Sequence, residues 1–317
     1  MQVFLTADAR LTFLALFVLA VGITAGCDSQ SSQQIESENQ NSRVSIVVIH
    51  HTAEDFGRSL ELLTKKSDRS VSAHYLIPEP LDTTYEYEDL EVFQLVPEDR
   101  RAWHAGYSSW AGKTALNDQS IGIEIVNQSY CHPAIQSLEE TNFSQPSSIC
   151  FYPDYPASQI TLVSTLVGDI LERHPDIKPT NIVGHSDIAP DRKVDPGPNF
   201  PWQRLYKLGI GAWYDDASVI RYWELFRLNA PDISIVQDAL ASYGYKIEIT
   251  GQFDKQSSDV IRAFQLHFQQ SEITGKVSIN TIAILFALLE KYHPQELKRL
   301  IDGINSKQVS ENDSDQE

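Results

Sequence analysis

Residues Gly184–Trp202, GHSDIAPDRKVDPGPNFPW, set an imidazole (His185), an ammonium (Lys193) and a carboxylate (Asp195) on one loop braced by prolines. The loop follows the short apolar run Asn181–Val183, so His185 is expected where a strand exits into a loop, a frequent place for functional side chains. Asp195 precedes Pro196, which disfavours helix and favours extended backbone, and Lys193, two residues earlier, then projects from the same side of the chain. Pro196, Pro198 and Pro201 leave few backbone states, so the loop is ordered before a ligand arrives. The same composition also suits a plain surface turn, and the reading depends on which other segments bring complementary groups.

Two segments do. Val44–His50, VSIVVIH, is β-branched and apolar, reads as a buried strand, and runs into the pair His50-His51. Alternation sends those two rings to opposite faces, and the pattern alone does not choose between them. Ser120–Val126, SIGIEIV, puts Ile121, Ile123 and Ile125 on one face and leaves Glu124 on the other beside Gly122, which makes room. A carboxylate in an apolar strand is costly to bury unless paired or near a cation, which leaves a functional acid or a salt-bridged core one. Two histidines and a carboxylate as ligands, an open fourth position and a neighbouring Glu form the pattern of a hydrolytic zinc site.

The segments IVVIHHTA, SAHYLI, AWHAG, SIGIEIVN and GHSDIAPDRKVDPGPNFPW resemble the motifs of zinc-dependent N-acetylmuramoyl-L-alanine amidases of type 2, over about Arg43–Leu208. The resemblance implies one Zn2+ held by His50, His185 and Asp195, with Glu124 as base and Lys193 as second catalytic residue. It also implies hydrolysis of the amide between N-acetylmuramic acid, or its 1,6-anhydro form, and L-alanine in peptidoglycan or muropeptides. His51 falls where the family accepts several residue types, so it is placed outside the ligand set. His74, Trp103 and His104 fall in family-like segments and are expected to wall the cleft or touch substrate. A non-catalytic peptidoglycan-recognition protein on the same fold is the alternative. Such relatives lose a ligand, whereas this chain carries all five residues.

The amino-terminal segment points to the envelope. Leu11–Ala25 is apolar but short for a membrane span, and Ile23-Thr24-Ala25-Gly26-Cys27 resembles a lipobox. Residues 1–26 then read as a lipoprotein-type signal peptide, with lipid on Cys27 and residues 27–42 as a flexible tether. That implies a lipid-anchored protein of a Gram-negative envelope facing the periplasm, on either membrane. Cys131 and Cys150 remain, and in an oxidising compartment they are expected to form a disulfide. Closing a loop of that size is worth ~3 kcal/mol in the chain-entropy model and would stiffen one wall of the cleft.

The 317 residues exceed one typical domain, with 42% hydrophobic content and a net charge of −18. So acidic a chain is a poor partner for nucleic acid or anionic lipid, and a monomer is expected. Gln159–His174 has helical periodicity ended by Pro175, and Thr84–Val96 alternates like a strand. The expected fold is α/β, a mixed central sheet flanked by helices over residues 43–225, plus a small three-helix domain over 231–292 that resembles peptidoglycan-binding modules. Tyr243, Tyr245 and Phe253 are its candidates for wall contact. His132, His174, His267 and His293 have no partners at ligand spacing and read as surface residues, and residues 306–317 as a disordered acidic tail.

Overall fold

The computed structural model describes residues 35–40, 42–68, 70–132 and 149–314. The expected leader over 1–26, Cys27 and most of the loop between Cys131 and Cys150 lie outside them. In chain order the elements of the first half are β1 (Ile46–His51), α1 (Phe56–Thr64), β2 (Tyr75–Ile77), β3 (Phe93–Gln94), β4 (Ser109–Trp110), β5 (Lys113–Thr114), β6 (Ser120–Ile125), β7 (Tyr130–His132) and β8 (Ile149–Phe151). They continue as α2 (Ala157–Arg173), β9 (Ile182–Gly184), α3 (His185–Ile188), α4 (Trp202–Lys207), α5 (Asp216–Phe226), α6 (Ile233–Tyr243), α7 (Lys255–Phe268), α8 (Ile279–Tyr292) and α9 (Pro294–Ser314).

The main sheet has the order β3-β2-β6-β1-β9. β2, β6, β1 and β9 run parallel and β3 antiparallel at one edge, so the sheet is mixed, as expected. Parallel strands are covered on both faces, which is why Ile46–Ile49 is a continuous buried run. The helix expected over 159–174 is α2; Ile160, Val163, Val167 and Ile170 on it are buried, and Gln159 ties it to the sheet by donating to the carbonyls of Pro78 and Val126.

Thr84–Val96 is not the strand its alternation suggests, because only Phe93–Gln94 pairs with β2. Tyr85, Tyr87 and Phe93 instead fold their rings together around Phe56. Local polar bonds hold that curl: Asp82 accepts from the amides of Phe56 and Thr84, and the Tyr85 hydroxyl donates to the carbonyl of Asp89.

The helical module is larger than three helices. α6, α7 and α8 are joined by α5, whose Tyr222 and Phe226 lie against Phe286 of α8, and by α9, where Leu297 and Leu300 are buried. Residues 306–314 continue α9 instead of forming a disordered tail. The apolar stripe Leu297, Leu300, Ile301 and Ile304 seats that helix on the module, and propagation beyond a formed helix is inexpensive. Tyr243 and Tyr245 do not face outward: both are buried, with rings edge-on to Trp110 of β4. Phe253 alone of the three is exposed. Catalytic sheet and helical module therefore share one core.

Candidate metal centre and active site

Three parallel strands end together at one edge of the sheet, where ligands of open α/β sheets generally gather. His50 closes β1, Glu124 is its register partner on β6, and His185 follows β9 directly. Register partners on adjacent parallel strands share a face, which decides between the two histidines. His50 faces inward with Glu124. His51 instead donates from Nδ1 to the carbonyl of Pro196 and accepts at Nε2 from Ser129, so both its nitrogens are occupied and it braces the loop.

The loop from Gly184 returns Asp195 to the same point. The Ser186 amide donates to the Asp195 carbonyl, and the Asp195–Pro196 peptide is cis. Gly184 lets the two ends close, since a Cβ there would lie 2.7 Å from Pro196 Cδ. His50 Nδ1 and His185 Nδ1 are 2.9 Å apart, and each is 3.1 Å from Asp195 Oδ2. All three residues are buried. For ~2.0–2.1 Å bonds in tetrahedral coordination, ligand atoms are separated by roughly 3.3 Å, so this cluster is tight but of the right size and donor type. The outer nitrogens are used elsewhere: His185 Nε2 donates to the Ala105 carbonyl, and His50 Nε2 meets His104 Nδ1. A carbonyl only accepts, so a neutral His185 presents a bare Nδ1 to the cluster.

A cleft of about 400 Å³ opens above these atoms, and Glu124, Lys193, Trp103 and Arg192 line it with His185 and Asp195 of the cluster. Burial drives the His50 ring down to about 4, His185 adding to the effect and Asp195 opposing it. Burial alone would raise Asp195, yet the two histidines hold it well below the usual carboxylate range. Glu124 is pushed up to about 8 by burial and then by the Asp195 charge, with Lys193 pulling the other way. One of its carboxylate oxygens, Oε2, is buried without a partner among the described residues. A carboxylate so placed holds and releases protons near neutral pH, which is what a proton shuttle requires.

The remaining expected residues divide. Trp103 is 48% exposed on the cleft wall. His74 is fully buried, accepting from the Gly122 amide and donating to the Arg100 carbonyl, so both nitrogens serve the scaffold. His104 lines the cleft as expected, mostly buried, and its ring lies over Gly122, so the space beside Glu124 is filled by an imidazole. Cys131 and Cys150 are register partners on β7 and β8 and are joined as a disulfide.

Sequence reasoning missed one cluster. Asp187, two residues after His185, is buried and accepts from the Gly184 amide (2.7 Å), the Tyr245 hydroxyl (2.6 Å) and His267 Nδ1 (2.8 Å). His267 is not a surface residue: it is 3% exposed and stacks on Trp202. His174 and His293 are half-buried, the first against Glu98 and the second against Tyr243. Arg262 and Gln270 of the module add donors to the carbonyls of Pro190 and Phe200. The helical module thus grips both ends of the metal-site loop. The surplus carboxylate of Asp187 was the only sequence signal, and its partners lie 58 and 80 residues away.

The profile of the family described as N-acetylmuramoyl-L-alanine amidase matches residues 40–198, and that of a putative peptidoglycan binding domain matches 229–285. N-acetylmuramoyl-L-alanine amidase AmiD of Escherichia coli is 38% identical over 286 residues, 87% of this chain and 96% of the relative. Its crystal structure with the substrate anhydro-N-acetylmuramic acid-L-Ala-D-gamma-Glu-L-Lys superposes with a TM-score of 0.68 at 39% identity, over 82% of this chain and 93% of that one. AmpDh3 from Pseudomonas aeruginosa, solved with an anhydromuramic pentapeptide, gives 0.73 at 42% identity over 84% and 98%. Matched over half its length by the family profile, and along nearly the whole of a relative more than a third identical to it, the chain belongs to the N-acetylmuramoyl-L-alanine amidase family.

Proposed function

We propose that the protein is a zinc hydrolase that cleaves the amide between N-acetylmuramic acid, in its ordinary or 1,6-anhydro form, and L-alanine. The observation that carries the reading is the meeting of His50 Nδ1, His185 Nδ1 and Asp195 Oδ2 at 2.9–3.1 Å beneath a cleft lined by Glu124 and Lys193. Two neutral imidazoles and a carboxylate are the donor set of a catalytic zinc site with an open position. When bound, zinc supplies a water whose pKa falls from ~15.7 toward ~7 and polarises the scissile carbonyl.

The chain's own groups supply the rest. Glu124 takes the proton from the attacking water and returns it to the departing L-alanine amine. Lys193, close enough for its charge to act on Glu124, stabilises negative charge developing on the carbonyl oxygen. Trp103 offers an exposed aromatic face on the wall for sugar or peptide. The relatives solved with anhydromuramyl peptides support that substrate class here. The sequence ITAGC at Ile23–Cys27 supports a lipid anchor on the periplasmic side of the envelope, with a short tether. No helix of the described residues is long and apolar enough to cross a membrane.

Mass analysis of products from intact sacculi and from soluble anhydro-muropeptides tests the reading, with metal content measured alongside. Release of free stem peptide, one zinc per chain, and loss of both in Asp195→Ala are expected. Full activity in that variant would overturn the ligand assignment.

A further inference from the structure

Behind His50 runs a file of polar groups: His50 Nε2 to His104 Nδ1 at 3.0 Å, His104 Nε2 to Ser120 Oγ at 3.2 Å, and Ser120 Oγ to the Leu116 carbonyl at 2.6 Å. We propose that His104 and Ser120 are positioning residues that fix the tautomer and ring orientation of His50 for metal binding, an inference that rests on the zinc reading above.

The far end determines every bond in the file. The Leu116 carbonyl can only accept, so the Ser120 hydroxyl hydrogen is committed to it. Ser120 Oγ then accepts from His104, which makes Nε2 of that ring the protonated nitrogen and leaves Nδ1 bare. His104 Nδ1 accepts in turn from His50 Nε2. His50 is left with a lone pair on Nδ1, aimed at the point shared by His185 Nδ1 and Asp195 Oδ2. The opposite tautomer would set a proton where the metal binds and leave two unprotonated nitrogens facing each other, lone pair to lone pair, across a 3.0 Å gap.

The file is largely buried, with His50 and Ser120 each 1% exposed and His104 8% exposed at the cleft wall. It is also sterically built. A Cβ on residue 122 would stand 2.3 Å from His104 Cγ, so Gly122 is the residue that admits the ring behind the ligand. Both nitrogens of His104 are used, which leaves it no hydrogen bond for substrate. His185 reaches the same end by donating directly to the Ala105 carbonyl, so both imidazole ligands carry an outer partner that sets their tautomer.

Outer partners of metal-bound imidazoles are generally worth 10–100-fold in metal affinity. The test is zinc affinity by chelator competition on the full chain, independent of turnover, with 15N shifts of the His50 ring as a second readout. His104→Leu should weaken zinc by about 10–100-fold. His104→Asn keeps an acceptor near the position of Nδ1 and should recover most of that loss. Wild type should show His50 protonated at Nε2, and Ser120→Ala should erode that preference. Zinc binding by folded His104→Leu within twofold of wild type would overturn the relay. If His104→Leu does not fold, a His50 ring protonated at Nδ1 in wild type, or unchanged zinc affinity in Ser120→Ala, overturns it equally. A wild-type chain that takes up no zinc would instead overturn the metal reading, and the relay with it.

Discussion

Tyr245→Phe isolates the grip of the helical module on the metal-site loop. The change removes one oxygen and keeps the ring, which still packs edge-on to Trp110 and against Phe264. The Tyr245 hydroxyl is the sole donor to Asp187 Oδ1 among the described residues, at 2.6 Å. The Asp187 side chain has no solvent exposure, so no water replaces the lost donor without rearrangement. A hydrogen bond to a charged group contributes about 1.5–3 kcal/mol, and a buried acceptor left unpaired adds its desolvation cost. The expected destabilisation is about 2–3 kcal/mol, or a fall in Tm of roughly 4–8 °C for a unit of this size. Urea unfolding followed by tryptophan fluorescence reads it directly, since Trp110 and Trp202 border the cluster. Asp187 also holds the Gly184 amide one residue before His185, so zinc should dissociate faster from the variant. A change below about 0.5 kcal/mol, well under the range for such a bond, with unaltered zinc release, would show that the module is an independent appendage and refute the reasoning.

Gly122→Ala should cost about 1–3 kcal/mol through overpacking and weaken zinc as well, because the new Cβ displaces the His104 ring; a thermal melt and a chelator titration on one sample check both. Lys193→Met should lower turnover of anhydro-muropeptide by about 10²–10³-fold while zinc content stays at wild-type level, and a loss under tenfold removes Lys193 from the oxyanion role. Glu98 yields a pH prediction. Burial alone would raise it, but Arg173, Tyr75 and His174 bring it from 4.5 down to about 2. A depressed carboxylate contributes stability that is complete above its unfolded pKa and is lost as pH falls through the folded value. Melting temperature should therefore drop between about pH 4.5 and pH 2, and Glu98→Gln should flatten that drop; an unchanged slope would mean that Glu98 is not the group responsible.

The candidate site residues were legible because each sits at a point where chain geometry is local. His50 ends an apolar strand, Glu124 interrupts one by alternation, and His185 with Asp195 sits on a loop restricted by prolines. Alternation misled at Thr84–Val96, where aromatic clustering on Phe56 outweighs a two-residue pairing. The end of the chain was misread because an acidic composition says little about a helix already seated by Leu297 and Leu300.

Sequence by itself determined the strands, the loop, the donor types and the resemblance, since periodicity, proline placement and side-chain chemistry are properties of short segments. Alternation alone left open which histidine of the pair faces inward; the resemblance pointed to His50, and the register between β1 and β6 sets it beside Glu124. Tertiary structure likewise set His104, which lines the cleft, against His50, and moved His267 and Tyr245 from the surface to Asp187. Each of those roles is a hydrogen bond between residues 54 to 80 positions apart. A buried polar group declares its need for a partner, but the folded core alone determines which partner it meets.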